Sequence, residues 1–384
     1  MGTPAITSKL PSVGTTIFTV MSGLAAETGA INLSQGFPGF PVHEALIDLV
    51  NRAMHDGHNQ YAPMPGILAL RERIAEKMEE LYGHRYDPND EITVTAGGTQ
   101  ALFSAITAVV QPGDEVIVLE PAYDSYIPAI QLAGGIPVPV ALHAPDFRPD
   151  WNEVRSKCTA RTRLIMINTP QNPTGMVFSA EDIQALISIT TDTGILILSD
   201  EVYEHILFDG QSHLSVASYP ELAERSLVVF SFGKTYHATG WKCGYVLAPA
   251  TLMREFRKVH QFTVFSVNTP LQYALAVYMQ ERSHYSGLPA LYQAKRDLFR
   301  KLLASSRFRI LPCHGSYFQL LDYSEITEVA DTEFAKQLTR SHGVASIPVS
   351  VFYTTPPASQ RLLRFCFAKE DYMLEAAAER LCAV

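Results

Sequence analysis

Between about residues 90 and 250 the chain repeats one pattern. A short, continuous apolar run is followed by a helix-like stretch, and the pair recurs. The runs lie at 92–95, 115–119, 164–168, 195–199, 227–231 and 244–248. They do not alternate apolar with polar residues, so they read as strands buried on both faces. The stretches between them, at 99–110, 126–132, 180–191 and 252–261, carry helix-like patterning. Strands that alternate with helices form a mostly parallel sheet with right-handed crossovers. The fold class is therefore α/β.

Several of these runs end in polar or turn residues: Asn168, Asp200 after Ser199, and Ser231 before Gly233. In open α/β sheets ligands sit beyond the carboxyl ends of the strands. Those ends are where chemistry is expected. After about residue 280 the texture changes to a long helical stretch at 288–305, strand-like pieces near 317–321 and 362–367, and a last helix near 370–381. The first forty residues lack strong periodicity. This predicts a large domain over 41–280 and a smaller α+β domain made from 1–40 and 281–384.

Composition narrows the function classes. The chain has 384 residues, is 47% hydrophobic and carries a formal net charge of −9. It can fill a large core, and it shows no basic patch for nucleic acid. The segment after Lys9 has no apolar region of a targeting peptide, and no run is long enough for a bilayer. Five scattered cysteines with no C-x-x-C pair suit a reducing compartment. Soluble, cytoplasmic and free of membrane contact is the expectation. No structural metal site is expected either, since no histidine or cysteine has a partner at ligand spacing.

Five constellations carry chemistry. The first is Ser231-Phe232-Gly233-Lys234-Thr235, with Lys242 eight residues on. A lysine just past a buried strand can be desolvated, which lowers its pKa. The neutral amine then attacks carbonyls to form a Schiff base. Taken alone, a lysine after a strand is usually solvated surface, and Lys234 by itself reads that way. Gly233-Lys234-Thr235 also resembles the end of a P-loop, but that motif needs glycine where Val228 stands. The second is Asp200, in Ser199-Asp200-Glu201-Val202-Tyr203. A buried aspartate needs a positive partner, and the protonated ring nitrogen of pyridoxal phosphate is one; a helix N-cap is the plainer role. The third is the loop from Asn168 to Gly175, whose prolines and glycine can aim the Asn172 amide. The fourth is the turn Gly97-Gly98-Thr99-Gln100, where free amides at a helix start can bind phosphate. The fifth is Arg364 on a strand-like piece, whose fork suits a carboxylate if it faces inward.

Taken together, these residues resemble the class I and II aminotransferases of fold type I. Asn172, Asp200, Tyr203, Lys234, Lys242 and Arg364 stand in the order and spacing of that family. Further matching stretches include Ser34-Gln35-Gly36-Phe37-Pro38 and Asn59-Gln60-Tyr61-Ala62-Pro63. The resemblance covers essentially the whole chain. It points to the kynurenine/glutamine transaminase branch and, within it, to bacterial methionine aminotransferases.

The resemblance implies pyridoxal 5′-phosphate as cofactor and a homodimer with shared active sites. Lys234 would form the Schiff base, and Asp200 would pair with the ring nitrogen. Asn172 and Tyr203 would hydrogen-bond the phenolic oxygen, and Tyr123 would stack on the ring. Gly98, Thr99, Gln100, Ser231 and Lys242 would bind the cofactor around its phosphate, and Tyr61 would reach it from the other subunit. Arg364, Asn172 and the backbone of Gly36 would hold the substrate carboxylate. Phe18, and Phe265 of the partner subunit, would line the side-chain pocket. Lysine at 242 replaces the arginine common in the superfamily, so a point charge stands in for a fork. The implied reaction moves the amino group of an L-amino acid to a 2-oxo acid, with methionine favoured and aromatic residues, histidine or glutamine accepted. The alternatives are a cysteine-conjugate β-lyase or kynurenine-type transaminase, and a non-catalytic regulator, for which no DNA-binding segment is evident.

Overall fold

The computed structural model describes residues 6–384. Its centre is a seven-stranded sheet of β1 (Ile92–Thr95), β2 (Glu115–Glu120), β3 (Ile136–Ala141), β4 (Thr162–Asn168), β5 (Leu196–Asp200), β6 (Ser226–Ser231) and β7 (Gly244–Leu247). The strand order is β1-β7-β6-β5-β4-β2-β3. All pairs are parallel except those of β7, which runs antiparallel to both β1 and β6.

The predicted runs become six of these strands, with ends shifted by two residues or fewer. The reason for their apolar continuity is visible in the packing. Ile117, Ile165, Ile197 and Val228 point to one core. Val116, Leu164, Leu198 and Leu227 point to another on the opposite face. Successive strand side chains alternate faces, and here each face meets a packed layer. The seventh strand, β3, was not anticipated. Its sequence Ile136-Pro137-Val138-Pro139-Val140-Ala141 places proline at alternate positions. Proline cannot donate to a ladder on both sides, so such a segment survives only at an edge, and β3 is the edge strand beside β2.

Helices connect the strands. Gly98–Val109 joins β1 to β2, and Ala180–Thr190 joins β4 to β5. The latter starts with a reciprocal cap between Ser179 and Asp182, which satisfies two otherwise unpaired amides. A helix also forms at Ile17–Thr28, within the stretch that lacked periodicity. Thr16 caps its start, and Gly29 ends it at φ 64°.

A second sheet has four antiparallel strands in the order β10-β11-β9-β8: β8 (Arg309–Ile310), β9 (Phe318–Asp322), β10 (Ile347–Pro348) and β11 (Leu362–Cys366). The N-terminal segment joins this region, since Ile31–Asn32 pairs in parallel with Val344–Ala345. No helix among the described residues is long and apolar enough to cross a membrane.

Candidate active site

The carboxyl ends of β1, β4, β5 and β6 converge on one cavity of about 280 Å³. Its wall includes Gly98, Thr99, Asn172, Asp200, Lys234 and Arg364, residues that span most of the chain. Tyr123, Tyr203, Ser231, Lys242, Gly36 and Phe18 line it as well. The four-stranded sheet closes one side through Phe318 and Arg364.

Lys234 stands in the single helical turn Phe232–Thr235 that follows β6. Its Nζ donates to the Gly36 carbonyl at 3.1 Å and to the Tyr317 hydroxyl at 3.0 Å. It also lies over the Tyr203 and Tyr317 rings, at 5.5 and 5.6 Å from their centres. Burial lowers its pKa to about 8. Desolvation disfavours the ammonium, and no carboxylate hydrogen-bonds the amine to restore it.

Asp200 ends β5 and is buried. Its carboxylate accepts the Tyr126 hydroxyl at 2.6 Å and the Val202 amide at 3.3 Å. Burial pushes its pKa up to about 6, against the pull of those donors. A buried carboxyl in that condition needs a cation.

The loop after β4 is tied down by Asn168. Its amide donates to the Asp200 carbonyl at 2.8 Å, and its side-chain oxygen accepts the Asn172 amide at 2.8 Å. Asn172 then accepts from Arg364 Nη1 at 2.7 Å, which leaves its own side-chain NH₂ for the cavity. Arg364 is fully buried on β11, where it also donates from Nη2 to the Ser34 carbonyl at 3.0 Å. Its guanidinium lies 4.0 Å from the Phe318 ring centre and 5.3 Å from that of Phe18. Burial lowers its pKa to about 10, so it remains cationic at neutral pH. Its Nε has no partner among the described residues. A buried, charged donor without an acceptor is destabilising by itself, and a bound carboxylate would satisfy it.

At the start of the Gly98–Val109 helix, Gly97 adopts φ 80°. A Cβ added there would lie 3.5 Å from Lys242 Nζ. Glycine therefore opens a small cradle between free helix amides and an ammonium, a combination that suits a phosphate. Gly36 is constrained in another way: a Cβ there would meet the Phe318 ring at 2.8 Å.

Not every expected residue reaches the cavity. Gln100 does not line it. Its side-chain oxygen accepts the Ala96 amide at 3.0 Å, and its nitrogen meets Ser104 at 2.8 Å and His260 at 3.1 Å. The side chain reaches back to tie the glycine turn and cannot also reach forward. Tyr61 and Phe265 are also outside their own chain's cavity. They pack edge to face at 5.3 Å on the surface, with Tyr61 81% exposed.

Three residues near the chemistry went unassigned in the sequence. Tyr126 binds Asp200, Tyr317 binds Lys234, and Asp124 lines the cavity. Burial raises the Asp124 pKa, and the Arg364 charge opposes that shift. Asp124 and Tyr126 flank Tyr123 just past the end of β2, so position was their available signal. Tyr317 sits among aromatic neighbours and had none.

Residues 28–381 match the family Aminotransferase class I and II. The chain belongs to that family. This aminotransferase is 53% identical over 375 residues to the methionine aminotransferase of Escherichia coli (strain K12), covering 97% of each chain. It is 36% identical over 392 residues to human kynurenine–oxoglutarate transaminase 1, covering 93% of each. A solved E. coli structure, reported with a methionine aminotransferase function, superposes with a TM-score of 0.97 at 52% identity, covering 99% of this chain and 100% of that one. The cofactor of the family is pyridoxal 5′-phosphate. The aminotransferase's cavity fits that group on its own features: a buried carboxyl short of a cation, a low-pKa lysine and a phosphate cradle.

Proposed function

We propose that the aminotransferase takes the amino group from methionine, and from aromatic amino acids, histidine and glutamine, and passes it to a 2-oxo acid. The observation that carries the reading is the meeting of Lys234, Asp200, Asn172 and Arg364 in one cavity, in a chain 53% identical to a methionine aminotransferase.

When bound, pyridoxal 5′-phosphate supplies an aldehyde carbon that amines can bond and a ring that takes up the electron pair left on the substrate's α-carbon. Lys234 would hold the cofactor between turnovers. Gly98, Thr99, Ser231 and Lys242 would bind its phosphate. Tyr123 would cover the ring, Asn172 and Tyr203 would donate to its phenolic oxygen, and Asp200 would supply the negative charge for its ring nitrogen. Arg364, with Asn172 and the Gly36 backbone, grips the substrate carboxylate and so fixes the direction of the Cα–H bond. Lys234 Nζ, once free and neutral, takes that proton and later returns it.

Aromatic rings set the substrate range. Phe18 and Tyr123 border the cavity, and rings pack well against a thioether. No second arginine faces them among the cavity residues, which disfavours aspartate. Tyr61 and Phe265 complete this wall from the partner subunit of a homodimer; their exposure as an aromatic pair supports that reading. The division into 41–280 and 1–40 plus 281–384 belongs to the same reading, and is supported by the separate seven- and four-stranded sheets. So does a cytoplasmic location, supported by five free cysteines.

A panel of amino donors against several 2-oxo acids tests the reading. Methionine should give the highest kcat/KM, with aromatic donors within about 100-fold, since one apolar group discriminates by only about 1–3 kcal/mol. A preference for aspartate would overturn it. The likeness to a kynurenine transaminase supports a second reading, as a kynurenine-type transaminase or cysteine-conjugate β-lyase. Pyruvate and ammonia formed from a cysteine conjugate without any 2-oxo acid would establish the lyase.

A further inference from the structure

Tyr317 is the one side chain that hydrogen-bonds the amine of Lys234 among the described residues. Its direction is fixed. The Tyr317 hydroxyl donates to the Gly36 carbonyl at 2.6 Å. Its proton is thereby committed, so towards Lys234 Nζ, at 3.0 Å, the oxygen can only accept. The Gly36 carbonyl accepts from the same amine at 3.1 Å. The three groups close a small triangle of hydrogen bonds.

The triangle is rigidly framed. Tyr317 is fully buried, immediately before β9. Its ring packs edge-on against Tyr203 at 5.1 Å and lies 4.9 Å from Phe318 and 5.8 Å from Tyr292. The preceding Ser316 holds φ 58°, a conformation that few non-glycine residues adopt. Burial raises the phenol pKa well above its ordinary value, so it keeps its proton.

We propose that Tyr317 is a positioning residue for Lys234, docking the amine against the Gly36 carbonyl whenever it is not bonded to the cofactor. A neutral amine has two N–H donors and one lone pair. With both donors engaged by Tyr317 and Gly36, the lone pair has one remaining direction, away from both acceptors. A long lysine side chain otherwise gives up much of its rotamer freedom only on being fixed. Tyr317 makes that ordering part of the fold, before any substrate arrives. This inference rests on Lys234 being the proton carrier.

Tyr317→Phe removes the acceptor and keeps the ring. With methionine, kcat should fall about tenfold or more, the scale of one lost hydrogen bond to a charged or reacting group. KM should move less than about threefold, because Arg364 still holds the carboxylate. The isotope effect with α-deuterated methionine should rise, as proton transfer becomes more rate-limiting. A second readout needs no turnover. In the cofactor-free enzyme, carbamoylation of Lys234 by cyanate, followed by peptide mass against pH, reports the amine's titration. Loss of an acceptor destabilises the ammonium, so the midpoint should move down. Asp200, Lys242, Arg364, Cys366 and Tyr203 also face this amine and are unchanged by the substitution. Should Tyr317→Phe fail to fold, site-specific 3-fluorotyrosine at 317 preserves the packing and weakens the oxygen as an acceptor; the midpoint should move the same way. An unchanged isotope effect and midpoint would reduce Tyr317 to packing. Turnover retained by Lys234→Ala would instead sink the underlying assignment, a separate result.

Discussion

Two lysines that lie over aromatic rings, Lys77 and Lys234, are treated in opposite ways. Lys77, on the helix Leu68–Tyr82, is 7% exposed and lies over the rings of Phe230, Tyr245 and Tyr285. It pairs with Glu204 and donates to Tyr245 at 3.0 Å, while Tyr82 donates to the other Glu204 oxygen at 2.6 Å. Burial lowers the pKa of Lys77, but the Glu204 charge works against that fall. Lys234 has rings as well, but only a carbonyl and a phenol as acceptors. The segment that serves both sites is the same. Asp200 and Tyr203 line the cavity, while Glu201 and Glu204 turn away. Glu201 accepts from Ser199 at 2.8 Å and the Val216 amide at 3.1 Å, and meets His213 at 2.7 Å. Completed charges anchor the turn; incomplete ones are left for ligands. Arg364, with its orphaned Nε, belongs with Lys234.

The largest expected difference is in turnover. Lys234→Ala should lower the rate by about 10⁴-fold, the upper range for a lost general base, and abolish the absorbance of lysine-bound cofactor. Lys77→Met should leave the rate of the folded fraction within about tenfold. A Lys234→Ala enzyme that still turns over breaks the comparison outright. Stability should reverse the ranking. Lys77→Met strands the Glu204 carboxylate and should cost about 3–5 kcal/mol in chemical denaturation. Adding Glu204→Gln should recover part of that loss.

Arg364→Gln tests the second incomplete cation. It should raise KM for methionine about 100-fold, for the loss of roughly 3 kcal/mol of charged hydrogen bonding to the substrate carboxylate. Its effect on the stability of the cofactor-free protein should be small. The smallest effect concerns pH. Folding lowers the Lys234 pKa from 10.5 to about 8, so the folded chain holds that proton less tightly than the unfolded one. The resulting destabilisation is full below about pH 8, shrinks as pH rises towards 10.5, and vanishes above it. In the cofactor-free protein at pH 7, Lys234→Met should therefore raise stability, by about 1–3 kcal/mol. A loss of stability there would place Lys234 among the completed charges.

How far the sequence discloses this depends on the kind of contact. Strands buried on both faces announce themselves through unbroken apolar runs, and the residues at their ends followed from that. The strand Ile136–Ala141 hid because proline disguised an edge position. The helix Ile17–Thr28 hid because it has little amphipathic contrast, although its Thr16 cap and Gly29 stop were readable signals. At the site, the charged and amide groups that meet in the cavity were legible by type and order. Gln100 divides its parts, with its backbone at the helix start and its side chain tying the turn. Tyr126 and Tyr317 were illegible for a different reason. Their hydroxyls matter, yet an aromatic in an apolar stretch reads as packing, and their partners lie 74 and 83 residues away.

The reversed strand β7 has a consequence for how the site can vary. Because it runs against β6, with Ser231 opposite Gly244, the chain leaves and re-enters the sheet at the same rim. Lys234 and Lys242 both fall within that return. A parallel strand would send the chain to the far edge first, and Lys242 would arrive at the wrong end. The connection therefore works as a ruler, setting the distance between the two ammonium groups by its residue count. Insertions there would rescale the site without disturbing the sheet that carries it.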